Sequence, residues 1–287
     1  MKSLIIGARG LVGSAIKRQV PDAIEGIPVE PKKHTNQMYT DITKYESLFK
    51  VFSNVRPDVV YLSAAITNVD KCEESKGTDT VNVSGPITVL RLCESFGAKL
   101  IYLSSSYVFD GMKRLPYKET DIPCPVNYYG EQKHVVEKAI SNSDASHIIV
   151  RTVGVYGTER LKKNFAKQVI SNIFAGKEVY APHDQFMNPV LSDDLAQVVV
   201  QLVDKKYKGL IHVSGNECMS KYEFARSIAK HFGLENKVHS VKTESMHQKA
   251  RRPINGCLDC SHLETLGIKT PSFLGGMARF MATEFNG

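Results

Sequence analysis

Read for the period of its apolar positions, the chain begins as short β-rich runs separated by longer helical ones. SLIIG at residues 3–7 leads into a helical pattern from Leu11 to about Gln19; DVVYLSAA, a helical stretch from about Lys71 to Phe96, KLIYLSSS and HIIVRT follow. Runs such as VVYL and LIYL carry no polar face, as strands covered on both sides require. Strands alternating with helices predict a parallel sheet with helices on both faces. After about Val155 the rhythm loosens. Helices are predicted over 164–174, 193–203 and 221–232, a strand in GLIHVSG, and a last helix after Pro271. The expected architecture is α/β: a doubly wound parallel sheet over 1–155, to which parts of the later chain return. A smaller C-terminal lobe, mainly 156–287, is expected over the sheet's C-terminal side.

Composition narrows the class. Apolar residues make up 42% and charged residues 23% of 287, spread along the chain, which is a globular balance. No apolar run approaches the roughly 20 residues of a membrane span, and MKSLIIG has no cleavable leader pattern. The expectation is a cytoplasmic protein with no membrane partner. Six scattered cysteines predict reduced thiols and no structural disulfide. Cys257 and Cys260 have a C-x-x-C spacing but no further ligands in pattern, so no metal is expected. The net charge of +7 suits an anionic partner. The basic residues form only short clusters (Lys32-Lys33, Lys162-Lys163, Lys205-Lys206, Arg251-Arg252), without the aromatic-interleaved stripe of a nucleic-acid surface. A phosphorylated small molecule is sufficient, and no nucleic-acid partner is expected.

The strongest local signal is G-A-R-G-L-V-G, with Gly7, Gly10 and Gly13 between a strand and an apolar helix. In that context glycines give a tight turn and let the backbone approach a pyrophosphate, while the helix N-terminus offers free N–H groups. A Rossmann-type dinucleotide site is predicted there, in its G-x-x-G-x-x-G form. An acid after the second strand would accept ribose hydroxyls and a basic residue would favour a 2′-phosphate. Glu25 and Glu30 compete with Arg9, Lys32 and Lys33 for that role. Arg9 inclines the reading to NADPH, with NADH as the alternative. Asp41-Ile42 is a candidate adenine contact, and Asp41 is equally a candidate helix cap.

The only Y-x-x-x-K in the chain is Tyr129 to Lys133. In the helical stretch YYGEQKHVVEKAI the two side chains share one face. Upstream, the strand KLIYL delivers Ser104-Ser105-Ser106 to the sheet edge where open α/β sheets bind ligands. Reducing a ketone requires a proton for the forming alkoxide. A phenol supplies it, a neighbouring ammonium is expected to lower its pKa, and a serine hydroxyl holds the carbonyl oxygen. Ser105, Tyr129 and Lys133 are the predicted catalytic three.

These residues lie in stretches that resemble the extended short-chain dehydrogenase/reductases, and within them the dTDP-4-dehydrorhamnose reductase family. The matching stretches are GARGLVGSAI, DITKYESL, RPDVVYLSAAITNVDKCE, LSSSYVFDG, PYKETDIPCPVNYYGEQK, RTVGVYG, NFAK, DQFMNPV and ARRPINGCLD. The resemblance implies reduction of the C4 keto group of a nucleotide-linked 4-keto-6-deoxysugar by NADPH or NADH, as in dTDP-rhamnose biosynthesis. It assigns Gly10, Leu11 and Val12 to the pyrophosphate turn and Asp41-Ile42 to adenine. Ala64, Ala65, Ile66 and Thr67 form the loop beside the cofactor, and Leu103 the strand end near nicotinamide. Lys133 would also hold the nicotinamide ribose. Lys71, Ser105, Ser106, Tyr107 and Arg252 fall where the family meets its substrate, and Arg252, late in the chain, makes the second lobe a substrate-binding one. A homodimer is compatible with the resemblance.

Two positions depart from the pattern. Gly154 replaces an aromatic residue, and Ser106 an aspartate. GARGLVGSAI is also much like GDP-fucose synthase, so an epimerase or epimerase-reductase is an alternative. Y-V-F-D-G is shared with the regulatory subunit of methionine adenosyltransferase, which makes a non-catalytic binding protein another.

Overall fold

A computed structural model describes residues 1–31, 35–158 and 164–285. Its centre is a seven-stranded, wholly parallel sheet. Six strands are β1 (Ser3–Ile6), β2 (Ile24–Ile27), β3 (Gln37–Tyr39), β4 (Val59–Leu62), β5 (Lys99–Ser105) and β6 (His147–Thr152), in the order 3-2-1-4-5-6. The strand Gly209–His212 pairs with β6 and closes that edge. The order reverses between β1 and β4, so their C-terminal ends open the crevice in which such sheets take ligands.

The unbroken apolar runs have the expected cause. Leu4, Ile6, Val60, Leu62, Leu100 and Tyr102 point to one core layer, and Ile5, Val59, Tyr61, Ile101 and Leu103 to the other. Helices α2 (Tyr45–Val55), α4 (Gly85–Phe96) and α5 (Tyr128–Ser141) cover the first face with Phe52, Val89 and Val136. On the second face α1 (Leu11–Gln19) packs against α7 (Ser192–Asp204).

The expected helix over 71–96 is broken. It becomes α3 (Val69–Glu74), a tight turn at Lys76–Thr78, a wide π-type turn at Thr80–Ser84, and α4. Ser75 and Gly77 interrupt the apolar period, and the turns carry the buried polar side chains of Thr78 and Asn82 inward.

Beyond β6 the chain builds the second lobe. In it α6 (Phe165–Phe174) and α8 (Lys221–Lys230) pack together, and α8 lies against the paired strands Val179–Pro182 and Val238–Val241. The short helix α9 (Ser261–Thr265) and α10 (Phe273–Phe285) end the chain. Tyr156, Phe165, Phe224, Phe273 and Phe280 form a continuous aromatic cluster across these elements.

The cysteine expectation is overturned: Cys218 and Cys257 form a disulfide across 39 residues of sequence. The segment Phe186–Met187 pairs with Met219–Ser220 on one side and receives the backbone N–H of Gly256 on the other. That shared neighbour brings the two cysteines together, which no spacing rule anticipates. Among the described residues no helix is long and apolar enough to cross a membrane, and no cluster of three metal-ligating side chains occurs.

Candidate active site

The glycine turn lies at the crevice. Gly7 follows β1 with φ +94, and a Cβ there would stand 2.5 Å from the backbone nitrogen of Ala64, just past β4. Only glycine lets the two strand ends come this close. Helix α1 starts at Leu11 with Gly10 as its N-cap and no side-chain cap, so the first-turn N–H groups of Leu11 and Val12 remain for an anion. The turn fits a dinucleotide's pyrophosphate. Arg9 is exposed beside it, while Lys32 and Lys33 lie outside the described residues. Glu25 is in the middle of β2, paired with Lys17 and accepting from Gln37, and Glu30 is exposed beyond the strand. The carboxylate of Asp41 accepts from the backbone and hydroxyl of Thr43 and pairs with Lys44. It thus stabilises the turn before α2, and Ile42 beside it is buried.

The loop Ala64–Thr67 is pinned by a residue the sequence reading did not single out. Asn82 accepts from the N–H of Ile66 at 2.8 Å and donates to its carbonyl at 3.0 Å. It also donates to Gln132 on α5, which donates in turn to Thr78 and Asp79. The only local signal was an asparagine between two valines, Val81 and Val83.

Ser105, Tyr129 and Lys133 come together at the end of β5. Helix α5 reaches this position because Gly130 seats it on the turn Ser106–Val108, where a Cβ would be 2.1 Å from the carbonyl oxygen of Tyr107. Burial pushes the Tyr129 phenol well above its ordinary pKa, against the pull of a hydrogen bond with Ser105. The expected lowering by Lys133 therefore does not prevail. The Lys133 ammonium donates to the carbonyl of Leu103 at 2.8 Å and lies 4.8 Å from the Tyr102 ring and 5.8 Å from that of Tyr129. Burial brings Lys133 down to about 8 while the Glu137 charge opposes the fall. Glu137 is one turn along α5 and forms a buried bidentate pair with Arg151 of β6, at 2.9 and 2.6 Å. Its own carboxyl is pushed up by burial but brought down to about 2 by Arg151, His134 and Ser104. Neither member of this pair was anticipated.

A cavity of about 170 Å³ opens next to these residues, lined by Ser106, Tyr107, Gly154, Gln185, Lys221 and Phe224 among others. The Ser106 hydroxyl is buried without a hydrogen-bond partner among the described residues. The Tyr107 ring meets Tyr129 edge-on at 5.8 Å. Arg252 pairs with Asp70 at 3.0 Å and donates to the carbonyl of Ala250 at 2.7 Å. It lines an adjoining cavity of about 280 Å³ with Asp110 and Arg251. Lys71 is exposed on α3 next to Asp70.

Comparison with known proteins identifies the family. The family described as the RmlD substrate binding domain matches residues 1–285. The chain belongs to that family. A dTDP-4-dehydrorhamnose reductase from Clostridium acetobutylicum is 31% identical, covers 99% of both chains and superposes with a TM-score of 0.88. The Bacillus anthracis dTDP-4-dehydrorhamnose reductase, solved in complex with NADP, is 28% identical over 99% of this chain and 100% of its own, with a TM-score of 0.89. Methionine adenosyltransferase 2 subunit beta of Bos taurus is 34% identical over 95% of this chain and 85% of its own.

Within this RmlD-type frame the two departures have local explanations. Gly154 adopts φ +59, and a Cβ would stand 2.9 Å from the sulfur of Met187, so a larger side chain there would require Met187 to move. Ser106 puts a neutral hydroxyl where the pattern has an acid, which leaves Lys221 as the charged side chain lining that cavity.

Proposed function

We propose that the protein is an NADPH-dependent reductase acting on the C4 keto group of a nucleotide-linked 4-keto-6-deoxysugar. The observation that carries this reading is the convergence of Ser105, Tyr129 and Lys133 beside a cavity at the C-terminal edge of β5. A reduced nicotinamide bound along the glycine turn would supply hydride to the keto carbon. Ser105 then holds the carbonyl oxygen by a hydrogen bond that strengthens as negative charge grows on it. Tyr129 delivers the proton to that oxygen. Its raised pKa keeps the phenol protonated at neutral pH, as a donor must be, and the forming alkoxide is a much stronger base. Lys133, directed across Tyr102 to the carbonyl of Leu103, is placed to bind ribose hydroxyls and to present positive charge to the phenol. The first-turn N–H groups of α1 would take the cofactor's pyrophosphate. Arg9, exposed in the glycine turn, favours a 2′-phosphate. The substrate side would be formed by Lys71, Ser106 and Tyr107 from the sheet domain and by Arg252 from the second lobe.

The identity to the bovine adenosyltransferase subunit supports a second reading, a regulatory protein that keeps the cleft for binding. One measurement separates the two. A reductase consumes NADPH in stoichiometric amounts when supplied with a 4-keto-6-deoxy sugar nucleotide, followed as loss of nicotinamide absorbance. Absence of consumption across dTDP-, UDP- and GDP-linked ketosugars, in protein that binds NADPH, overturns the reductase assignment in favour of the regulator.

A further inference from the structure

Gln132 lies on α5 between Tyr129 and Lys133 and is buried. Its amide is fully engaged. Both N–H groups donate, to the Thr78 hydroxyl and to Asp79 Oδ1, each at 2.8 Å, and its carbonyl accepts from Asn82 Nδ2 at 2.8 Å. Asn82 in turn holds both backbone groups of Ile66. Turning either amide over would set N–H against N–H. A buried polar network satisfied in this way specifies one geometry. Asp79 widens the hold. Its second oxygen accepts from the Tyr128 hydroxyl at 2.6 Å, and that contact pushes the phenol up to about 12, so it stays a donor at neutral pH. Tyr128 and Gln132 are four residues apart and share a face of α5. One carboxylate therefore grips successive turns of the helix, those that carry Tyr129 and Lys133, and resists its rotation about its axis. An apolar contact runs alongside, because Ile66 packs with Cys72 and Tyr128 against Tyr129. The chain gives up a regular helix to place Asn82 on the π-type turn Thr80–Ser84, and such wide turns concentrate at functional sites.

We propose that Gln132 is a positioning residue that ties the loop Ala64–Thr67 to the part of α5 bearing Tyr129 and Lys133, so that the cofactor side of the cleft and the proton donor keep one spacing. The inference rests on the reductase reading, in which that loop lies beside the cofactor and Tyr129 delivers the proton. Gln132 itself touches no reacting atom. It fixes where the donor stands, and a displacement of about 1 Å at such a point can cost on the order of 10²-fold in rate.

The test follows the Ile66 backbone N–H by hydrogen exchange in protein without cofactor, beside steady-state reduction of a dTDP-linked 4-keto-6-deoxysugar. Gln132→Leu is expected to speed Ile66 exchange by about tenfold and to leave the amides of β1 and β4 as in wild type. Its kcat should fall by about tenfold or more with the ketosugar KM little changed. Gln132→Glu keeps the size and the acceptor for Asn82 but faces Asp79 with like charge, so it should behave as Gln132→Leu does. Adding Asp79→Asn returns a donor to the altered side chain. The double variant should recover most of the slow exchange and of kcat, a reversal that volume alone does not produce. Should Gln132→Leu fail to fold, the two glutamate variants decide alone. Wild-type exchange at Ile66 in the single variants overturns the proposal. So does faster exchange that extends to β1 and β4 and is not reversed by Asp79→Asn, because that marks a general loosening. Reduction at the wild-type kcat in Gln132→Leu also overturns it and leaves the reductase reading standing. Exchange at Ile66 that follows Gln132 and is restored in the double variant, in a protein that reduces no ketosugar, upholds the tie while the reductase reading fails.

Discussion

Two lysines stand on opposite sides of the cleft, and burial brings both down to about 8. Lys133 is surrounded: it donates to Leu103, lies over Tyr102, and has Glu137 a turn away, itself held by Arg151. Lys221 has no such shell and lines the cavity beside Ser106 and Tyr107. The first arrangement is set before any ligand arrives, as a site that must position a proton to within a fraction of an ångström requires. The second is left electrostatically unfinished, as a site whose purpose is to attract an anion can be. The sheet side of the cleft is built for geometry and the lobe side for charge.

The largest expected effect tests the geometric side. Tyr129→Phe keeps the ring that meets Tyr107 and deletes the proton, so turnover should fall by about 10²–10⁴-fold with NADPH affinity unchanged in a fluorescence titration. Retention of more than about a tenth of the rate would remove Tyr129 from the proton-transfer step.

Next comes the support under Lys133. Glu137→Gln leaves the Arg151 guanidinium buried and unpaired, a loss of about 3–5 kcal/mol measurable by urea unfolding. It also removes the charge that holds the Lys133 pKa up. The alkaline limb of the pH–rate profile should then move to lower pH, whereas a purely structural role would lower stability and leave that limb in place.

A smaller effect is expected at Arg9, an exposed cation in the glycine turn. If it meets a 2′-phosphate by charge-assisted hydrogen bonds, Arg9→Ala weakens NADPH by about 1.5–3 kcal/mol and spares NADH. Equal losses would assign Arg9 to the shape of the turn.

The smallest effect sharpens the comparison through pH. In the unfolded chain a lysine keeps its proton up to its ordinary value near 10.5, while in the folded protein Lys221 releases it at about 8. Between those limits the unfolded state binds more protons, so this group's contribution to stability rises with pH. Lys221→Met should flatten the rise in unfolding free energy across that window, measured by urea titration at several pH values. An unchanged slope would show that the ammonium is not held in a costly place.

Local order explains what could be read from sequence. The turn from β1 into α1, the covered strands and the Tyr129–Lys133 helix each depend on neighbours within a few residues, and each is where its pattern put it. Asn82, Glu137 and Lys221 gain their importance from residues about 14 to 50 positions away, or from a cavity wall, and no period marks such meetings. The expected helix over 71–96 failed for a related reason. Its propensities favour a continuous helix, but burying Thr78 and Asn82 against α5 requires turns of different width. Lys133 shows the limit in electrostatics: its position on the helix was legible, whereas the dominance of burial over charge at Tyr129 depends on how tightly the cleft closes around the phenol.

The Cys218–Cys257 disulfide has a mechanical consequence for the lobe. Lys221 is three residues beyond Cys218, and Arg252 is five before Cys257. The shortest covalent route between the two cations thus runs through the sulfur bridge, far shorter than the 31 residues that separate them along the backbone. The bridge therefore acts as a short tether between the start of α8 and the loop that carries Arg252, and cutting it is expected to loosen the lobe without disturbing the sheet.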